Sequence, residues 1–399
     1  MEENNSINKK KIITKLFTQY KIQLIADLDS ISISIENNLD KYESTFNFEY
    51  LHKLFIGKDT IEHIIEFISV LIEHKNIQIK ENQINLKLIL IPTIFNNTYI
   101  ELILNKIYKM KMIKSIYTNN NCVYSVSSFP SGNIVSVSND KSIKIYDIHY
   151  NIIQNIKNAY LGPINYVDIK DDNNFVACSD DKNIKTWIKN SKYFIINKII
   201  KNAHNDSITK VIYFSNRNLI SCSYDKTVKI WEENNKNYQL ISILNHSNLV
   251  WSILLLNDKN ILISSGWNGT KFWNINNMEL IQYLNKVQCS SWNSLSRIEN
   301  DKIIVGQGKL VKIVSLIKKR IIKEINLLFD CIGIRIIKEK KIFLIGGKSK
   351  NILIYNYENY DYIQTIKNAH EDYIIGFIEL KNSSIISFSN DNTIKIWSL

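Results

Sequence analysis

His204, Ser221 and Asp225 bring together a base, a hydroxyl and a carboxylate, and Trp231 closes the set. Those are the groups of a hydrolytic triad, in which histidine takes the serine proton and the carboxylate fixes the imidazole tautomer. The same set returns 166 residues later as His370, Ser387, Asp391 and Trp397. An active site need exist only once, whereas this set occurs twice at identical spacing. Neither serine lies on a glycine-flanked nucleophile elbow. The recurrence points instead to a structural device that travels with a repeated unit.

The unit can be read directly. The phrase "SYDKTVKIW" at 223–231 returns as "SDDKNIKTW" at 179–187 and as "SNDNTIKIW" at 389–397. Aligning the closing residues gives Tyr146, Trp187, Trp231, Trp273, Val314, Tyr355 and Trp397, at steps of 41, 44, 42, 41, 41 and 42 residues. Between them lie short alternating runs such as "SITKVIYF" and "NLISCS", which read as strands of period two. Four such strands in each interval, without helical patterning, fit a propeller blade, and seven units imply seven blades. The last phrase stops at "IWSL", so the seventh unit lacks an outermost strand. "MKMIKSIYTNNN" before the first unit matches the outer-strand text "YFIINKIIKNAH". A strand at 111–118 is therefore expected to close the ring against residues 371–399 and remove its exposed edges.

These units resemble WD40 repeats over about residues 111–399. In three of them the second residue of an "AH" or "NH" dipeptide, His204, His246 or His370, stands 27 residues before the closing tryptophan. The same spacing finds Asn119, Tyr160, Val287 and Leu328 in units one, two, five and six, and units five and six lack the turn aspartate. The resemblance implies that the aspartate bonds the histidine, the histidine the serine, and the serine the indole, satisfying polar groups otherwise buried unpaired. It also implies a top face built from the loops entering each first strand and from the b–c turns. Carried over by register, Tyr124, Trp251 and Trp292 occupy corresponding loop positions there, with Tyr373 on a neighbouring one. Tyr224 precedes a turn aspartate, and Trp267 stands where the fourth unit's aspartate would be. Trp187, Trp231, Trp273 and Trp397 close blades and need no further account. The other aromatics form the candidate protein-binding set, since exposed Trp and Tyr anchor interfaces. The plainer alternative is that such a tryptophan packs into the central channel.

Charge is unevenly placed. Residues 1–110 hold 13 basic and 14 acidic residues, and the remainder 37 and 24, so the overall +12 belongs to the repeats. The lysines are single residues in strand-turn phrases, which reads as a solvated rim more readily than as a polyanion-binding face. "LIKKRII", with Lys318, Lys319 and Arg320, could touch anionic lipid but reads first as an exposed turn. Five cysteines show no CxxC pair or zinc spacing, and Cys178 and Cys222 read as small apolar residues at equivalent strand positions. No signal peptide or membrane span is legible.

Residues 1–110 are not an eighth unit. Runs at 20–36 and 76–92 read as hairpins, and "TYIELILNKI" as a strand. "DTIEHIIEFISVLIEHK" puts Ile61, Ile64, Ile65, Ile68 and Leu71 on one helical face. A small α+β domain is expected, with an all-helical one as the alternative, and His52, His63 and His74 are expected at its surface. The fold class is thus mainly β, a seven-bladed propeller over 111–399 preceded by that domain. The expected function is a non-enzymatic, intracellular, cytoplasmic adaptor that binds a protein or peptide on the propeller's top face, without cofactor or metal. The alternatives are a ubiquitin-ligase substrate receptor and a propeller binding lipid or nucleic acid. For the first, the nearest match to a Trp-Asp-x-Arg ending is "YDIH".

Overall fold

The structure is a computed structural model that describes residues 110–118, 121–215, 217–299 and 301–398, together with the backbone of seven earlier strands. The chain divides into two units, Met1–Lys109 and Met110–Leu399. In the first, β1 (Lys11–Phe17), β2 (Tyr20–Ala26), β3 (Ser30–Glu36), β4 (Lys41–Asn47), β5 (Ile77–Glu81), β6 (Asn85–Leu90) and β7 (Ile100–Ile107) form one sheet in the order β1-β2-β3-β4-β7-β6-β5. Every pairing in it is antiparallel. The helix expected at 59–75 and the histidines 52, 63 and 74 lie outside the described residues.

The second unit is seven four-stranded antiparallel sheets. Each blade is a meander of strands a to d. The a strands begin at Val123, Ile164, Ile208, Val250, Leu295, Cys331 and Ile374, and pack against one another around the axis. Strands a and b are buried on both faces because neighbouring blades sandwich them, so Ile134–Ser138 and Ile385–Ser389 are buried at every residue. Blade interfaces are apolar. Between blades one and two, Phe129 stacks on Phe194 at 5.3 Å and meets Phe175 edge-on at 6.3 Å.

The turns explain the repeated phrase. Asp140, Asp181, Asp225 and Asp391 accept from the backbone N–H two residues on. The residue between, Lys141, Lys182, Lys226 or Asn392, takes φ between 68° and 70°. An aspartate that bonds its own turn makes the left-handed residue tolerable without glycine, which this chain uses sparingly. The lysine of strand c has a second task. Lys185, Lys229, Lys271, Lys312 and Lys395 each donate Nζ to a backbone carbonyl 26 residues upstream, at 2.5 to 2.8 Å, and Lys144 does so to Thr118. Six of the positive charges in the repeats therefore staple strand c to the preceding loop instead of lining a surface.

Blade seven takes its strands a to c from Ile374–Ser398 and its outer strand from Lys111–Tyr117, which pairs antiparallel with Thr393–Ser398. Thr118 N extends that seam to Asn392 O at 2.9 Å.

Candidate functional site: the top of the propeller

The repeated polar set is a relay. In blade three, His204 Nδ1 lies 2.9 Å from Asp225 Oδ2, and its Nε2 lies 2.7 Å from Ser221 Oγ. Trp231 Nε1 donates to the same Oγ at 2.9 Å. Blade seven repeats this with His370, Asp391, Ser387 and Trp397 at 2.9, 2.6 and 2.8 Å. An indole N–H only donates, so the serine oxygen accepts from tryptophan and gives its own proton to a neutral imidazole. Burial lowers both histidine pKa values, which keeps the rings neutral although each faces an aspartate. Burial works to raise Asp225 and Asp391, but bonds from the histidine, a threonine hydroxyl and a backbone N–H outweigh it and hold both well below the usual carboxylate range. Both serines are 0% exposed. The distances match a triad, but the hydroxyl is spent on tryptophan and no substrate reaches it.

Blade four carries a truncated relay. His246 Nε2 meets Ser264 Oγ at 2.7 Å and Trp273 donates to it at 2.7 Å, while His246 Nδ1 has no partner. Its hairpin turns on two residues, Trp267 and Asn268, between Gly266 and Gly269, so no aspartate is present to accept. Burial, then the Lys271 charge, pushes His246 down to about 3. The unfolded chain takes up that proton below pH ~6.5, whereas the folded chain resists it until near pH 3. The stability this histidine contributes is therefore full above pH ~6.5 and is lost on the way down, at about 1.4 kcal/mol per pH unit. His204 and His370 act in the same direction. Denaturant midpoints at pH 7 and pH 5 are expected to differ accordingly; coincident midpoints would mean the buried rings take up protons as readily as those of the unfolded chain.

Two of the aromatics at the top, Tyr124 and Trp251, are placed by β-bulges. In blades one, two, three, four, six and seven the a–b register slips by one at Tyr124, Asn165, Thr209, Trp251, Ile332 and Ile375. A bulged residue is unpaired and its side chain is re-aimed, here toward the mouth of the channel. Tyr224 meets Trp251 edge-on at 5.0 Å, and Trp251 lies 6.4 Å from Trp267 and 5.8 Å from Trp292. Trp292 in turn meets Tyr124 at 5.6 Å. Five of the six candidate aromatics thus form one continuous arc over blades one, three, four and five. Tyr373 lies apart on blade seven, 43% exposed. Trp267 is the outermost member, 52% exposed on its turn, whereas Trp251 is largely covered.

Trp292 has a structural task as well. In blade five, Ser290 N and Ser294 O both bond Gly306, so three residues, Ser291 to Asn293, are ejected where other blades eject one. This loop crosses the channel mouth. Trp292 Nε1 donates to Tyr124 O at 3.2 Å, and its carbonyl accepts from Ser252 Oγ at 2.9 Å and Lys210 Nζ at 3.4 Å. Asn293 Nδ2 reaches Tyr124 O and Ile375 O at 3.4 and 3.2 Å, and its carbonyl accepts from Ile334 N at 2.9 Å. Gly376 admits it, since a Cβ there would stand 3.1 Å from Asn293 Nδ2. Nothing in the spacing of the repeats announces this cork; the only sequence signal is the absence of a regular strand a around "SSWNS".

Other positions fall as follows. In blade six, Cys331 pairs with Gly347 as Val250 pairs with Gly266, which puts Leu327, not Leu328, at the histidine position. Leu327 is 7% exposed and Leu328 96%. Leu161, 84% exposed on blade two, is another top-face apolar residue that the repeat register did not single out. Lys318, Lys319 and Arg320 form an exposed turn, with Lys319 at φ 53°. Cys178 and Cys222 are fully buried in equivalent b strands, and burial pushes Cys222 up to about 12. Among the described residues, no group of three His, Cys, Asp or Glu is placed to hold a metal ion, and no helix is long and apolar enough to cross a membrane.

Seven blades around one channel, two of them with the full Asp–His–Ser–Trp relay, define a WD40-type β-propeller. Residues 110–147, 154–187 and 197–232 match the family model described as "WD domain, G-beta repeat". The chain thus carries WD40 repeats in a seven-bladed propeller, a fold that typically serves as a scaffold for protein interaction. No curated protein matches the chain.

Proposed function

We propose that this protein is a non-enzymatic adaptor that grips a protein or peptide on the top face, with Tyr124, Tyr224, Trp251, Trp267, Trp292 and Tyr373 in or beside the contact. The observation that carries this reading is the aromatic arc, which ends in an exposed tryptophan on a rigid two-residue turn. Rigid aromatics offer large contact area at small entropic cost, and such residues dominate interface energetics. The sealed serines of both relays support the non-enzymatic part.

Trp267 is the residue to test, because Trp292 also bridges the channel and its loss would confound binding with folding. The full chain and its Trp267→Ala variant would be compared in affinity capture from lysate of the source cell, with Ile317→Ser, on a c–d turn at the opposite face, as control. Partners retained by Ile317→Ser and depleted at least about tenfold by Trp267→Ala are expected, as for an interface anchor worth over 1.4 kcal/mol. Equal capture by all three chains would remove the arc from the binding face.

A further inference from the structure

The far end of the channel holds a feature that the top-face reading does not use. The a strands of blades four to seven, with the a–b turns of blades six and seven, line a solvent-open cavity of about 670 Å³. Its charged lining is Arg297, Arg335, Lys338 and Lys381 against Glu339 and Glu379. Three of these six are engaged. Arg297 holds Asp258 bidentately at 2.6 and 2.7 Å, Lys381 Nζ donates to Pro130 O at 2.6 Å, and Glu339 accepts from Ser383 Oγ at 3.2 Å.

Of the other three, Lys338 is exposed and Arg335 is the most deeply buried. Its Nε is shut off from solvent and has no hydrogen-bond partner, and among the described residues no carboxylate closes an ion pair with its guanidinium. Buried charges are ordinarily paired, because desolvating one without a partner costs several kcal/mol. Glu379 compensates weakly, since burial lowers the arginine's pKa and raises the carboxyl's. A positively lined cavity with one uncommitted guanidinium at its wall lacks an acceptor, and a guanidinium fork matches the oxygens of a tetrahedral oxyanion.

We propose that this cavity binds a small phosphate-bearing anion, with Arg335 as its bidentate anchor and Lys338 at the rim. The cavity has room for more than a single phosphate, so pyrophosphate is the probe.

Calorimetric titration of sodium pyrophosphate, at matched ionic strength, into the full chain and its Arg335→Met, Arg335→Lys and Lys319→Met variants tests this. Wild type and Lys319→Met should bind alike. Arg335→Met should weaken binding at least about tenfold, the loss expected for one charge-assisted contact, and Arg335→Lys should keep part of it. In anion-free buffer Arg335→Met should unfold at or above the wild-type temperature, because an unpaired charge has been removed. Co-sedimentation with phosphatidylcholine vesicles carrying phosphatidic acid separates the sources: Arg335-dependent binding there assigns a lipid headgroup, and its absence a soluble phosphate. The proposal is overturned if wild type does not bind pyrophosphate, or if Arg335→Met binds it equally well. An Arg335→Met chain that unfolds far below wild type and responds equally to the anion would make the arginine structural.

Discussion

Asp391→Ala is expected to destabilise the propeller by about 3–4 kcal/mol, near the upper end of single-residue effects. Both carboxylate oxygens serve two donors each. Oδ2 takes His370 Nδ1 at 2.9 Å and Glu371 N at 2.8 Å, and Oδ1 takes Thr393 N at 2.9 Å and Thr393 Oγ1 at 2.6 Å. The side chain is only 6% exposed, so water does not replace what is lost. Asparagine should be nearly as damaging, because its amide would turn an N–H toward two donors. Asp225→Ala breaks the same bonds in blade three and should cost less, because that blade's outer strand follows it directly in sequence. In blade seven the damage reaches Thr393, where the seam with the distant outer strand begins. Denaturant unfolding of the three variants would check the ranking; a loss under 1 kcal/mol for Asp391→Ala would show the relay to be ornamental.

Gly266→Ala is expected to cost about 2–3 kcal/mol and to disperse the aromatic arc in the same step. A Cβ on Gly266 would sit 2.0 Å from Leu249 O and 3.1 Å from Val250 Cα, backbone atoms that cannot swing aside. Relief requires the loop entering strand a to move outward, and that loop carries Trp251 two residues later. Blades one, two, three and seven have Ser138, Ser179, Ser223 and Ser389 at this position, each with its hydroxyl bonded to a loop carbonyl. Blade four has drawn its loop into the space a serine would fill, which is how three tryptophans come within ring contact. The near-UV circular dichroism of the coupled rings should fall in Gly266→Ala, together with any top-face binding. An unchanged spectrum would mean that the arc does not depend on this close approach.

How much of this could be read beforehand follows from what repeats. The seven-blade count, the two complete relays and the closing tryptophans were legible because they recur at a fixed interval. Ser264 escaped notice because blade four's two-residue turn moves its serine from ten residues before the tryptophan to nine. Leu328 was placed one residue off for a related reason: blade six spends one residue more between Cys331 and Tyr355 than blade four spends between Val250 and Trp273. The lysine staples were hidden by their ordinariness. Their 26-residue spacing is regular, but a lysine every other residue in a strand reads as solvated surface until its Nζ is seen on a carbonyl. The arc was visible as aromatic residues at shared register, since bulges recur with the blades. The cork of Trp292 and Asn293 was not, because a loop that departs from the repeat carries no periodic signal, and its partners lie up to 169 residues away.

The seam between Lys111–Tyr117 and Thr393–Ser398 joins residues as much as 287 positions apart. During synthesis at ~5–20 residues per second, the earlier strand waits roughly 15–60 s for its partner to be made. Six blades can assemble in that interval, but the seventh cannot, and Met112 and Ile113, exposed even in the finished ring, spend the wait on an unpaired edge. The newborn chain is thus an open crescent with an unpaired strand edge, and a neighbouring chain whose residues 374–398 have already emerged can supply the missing strand before the crescent's own tail is made. Crowding on the polysome therefore favours rings that exchange outer strands, and dilution favours rings that close on themselves.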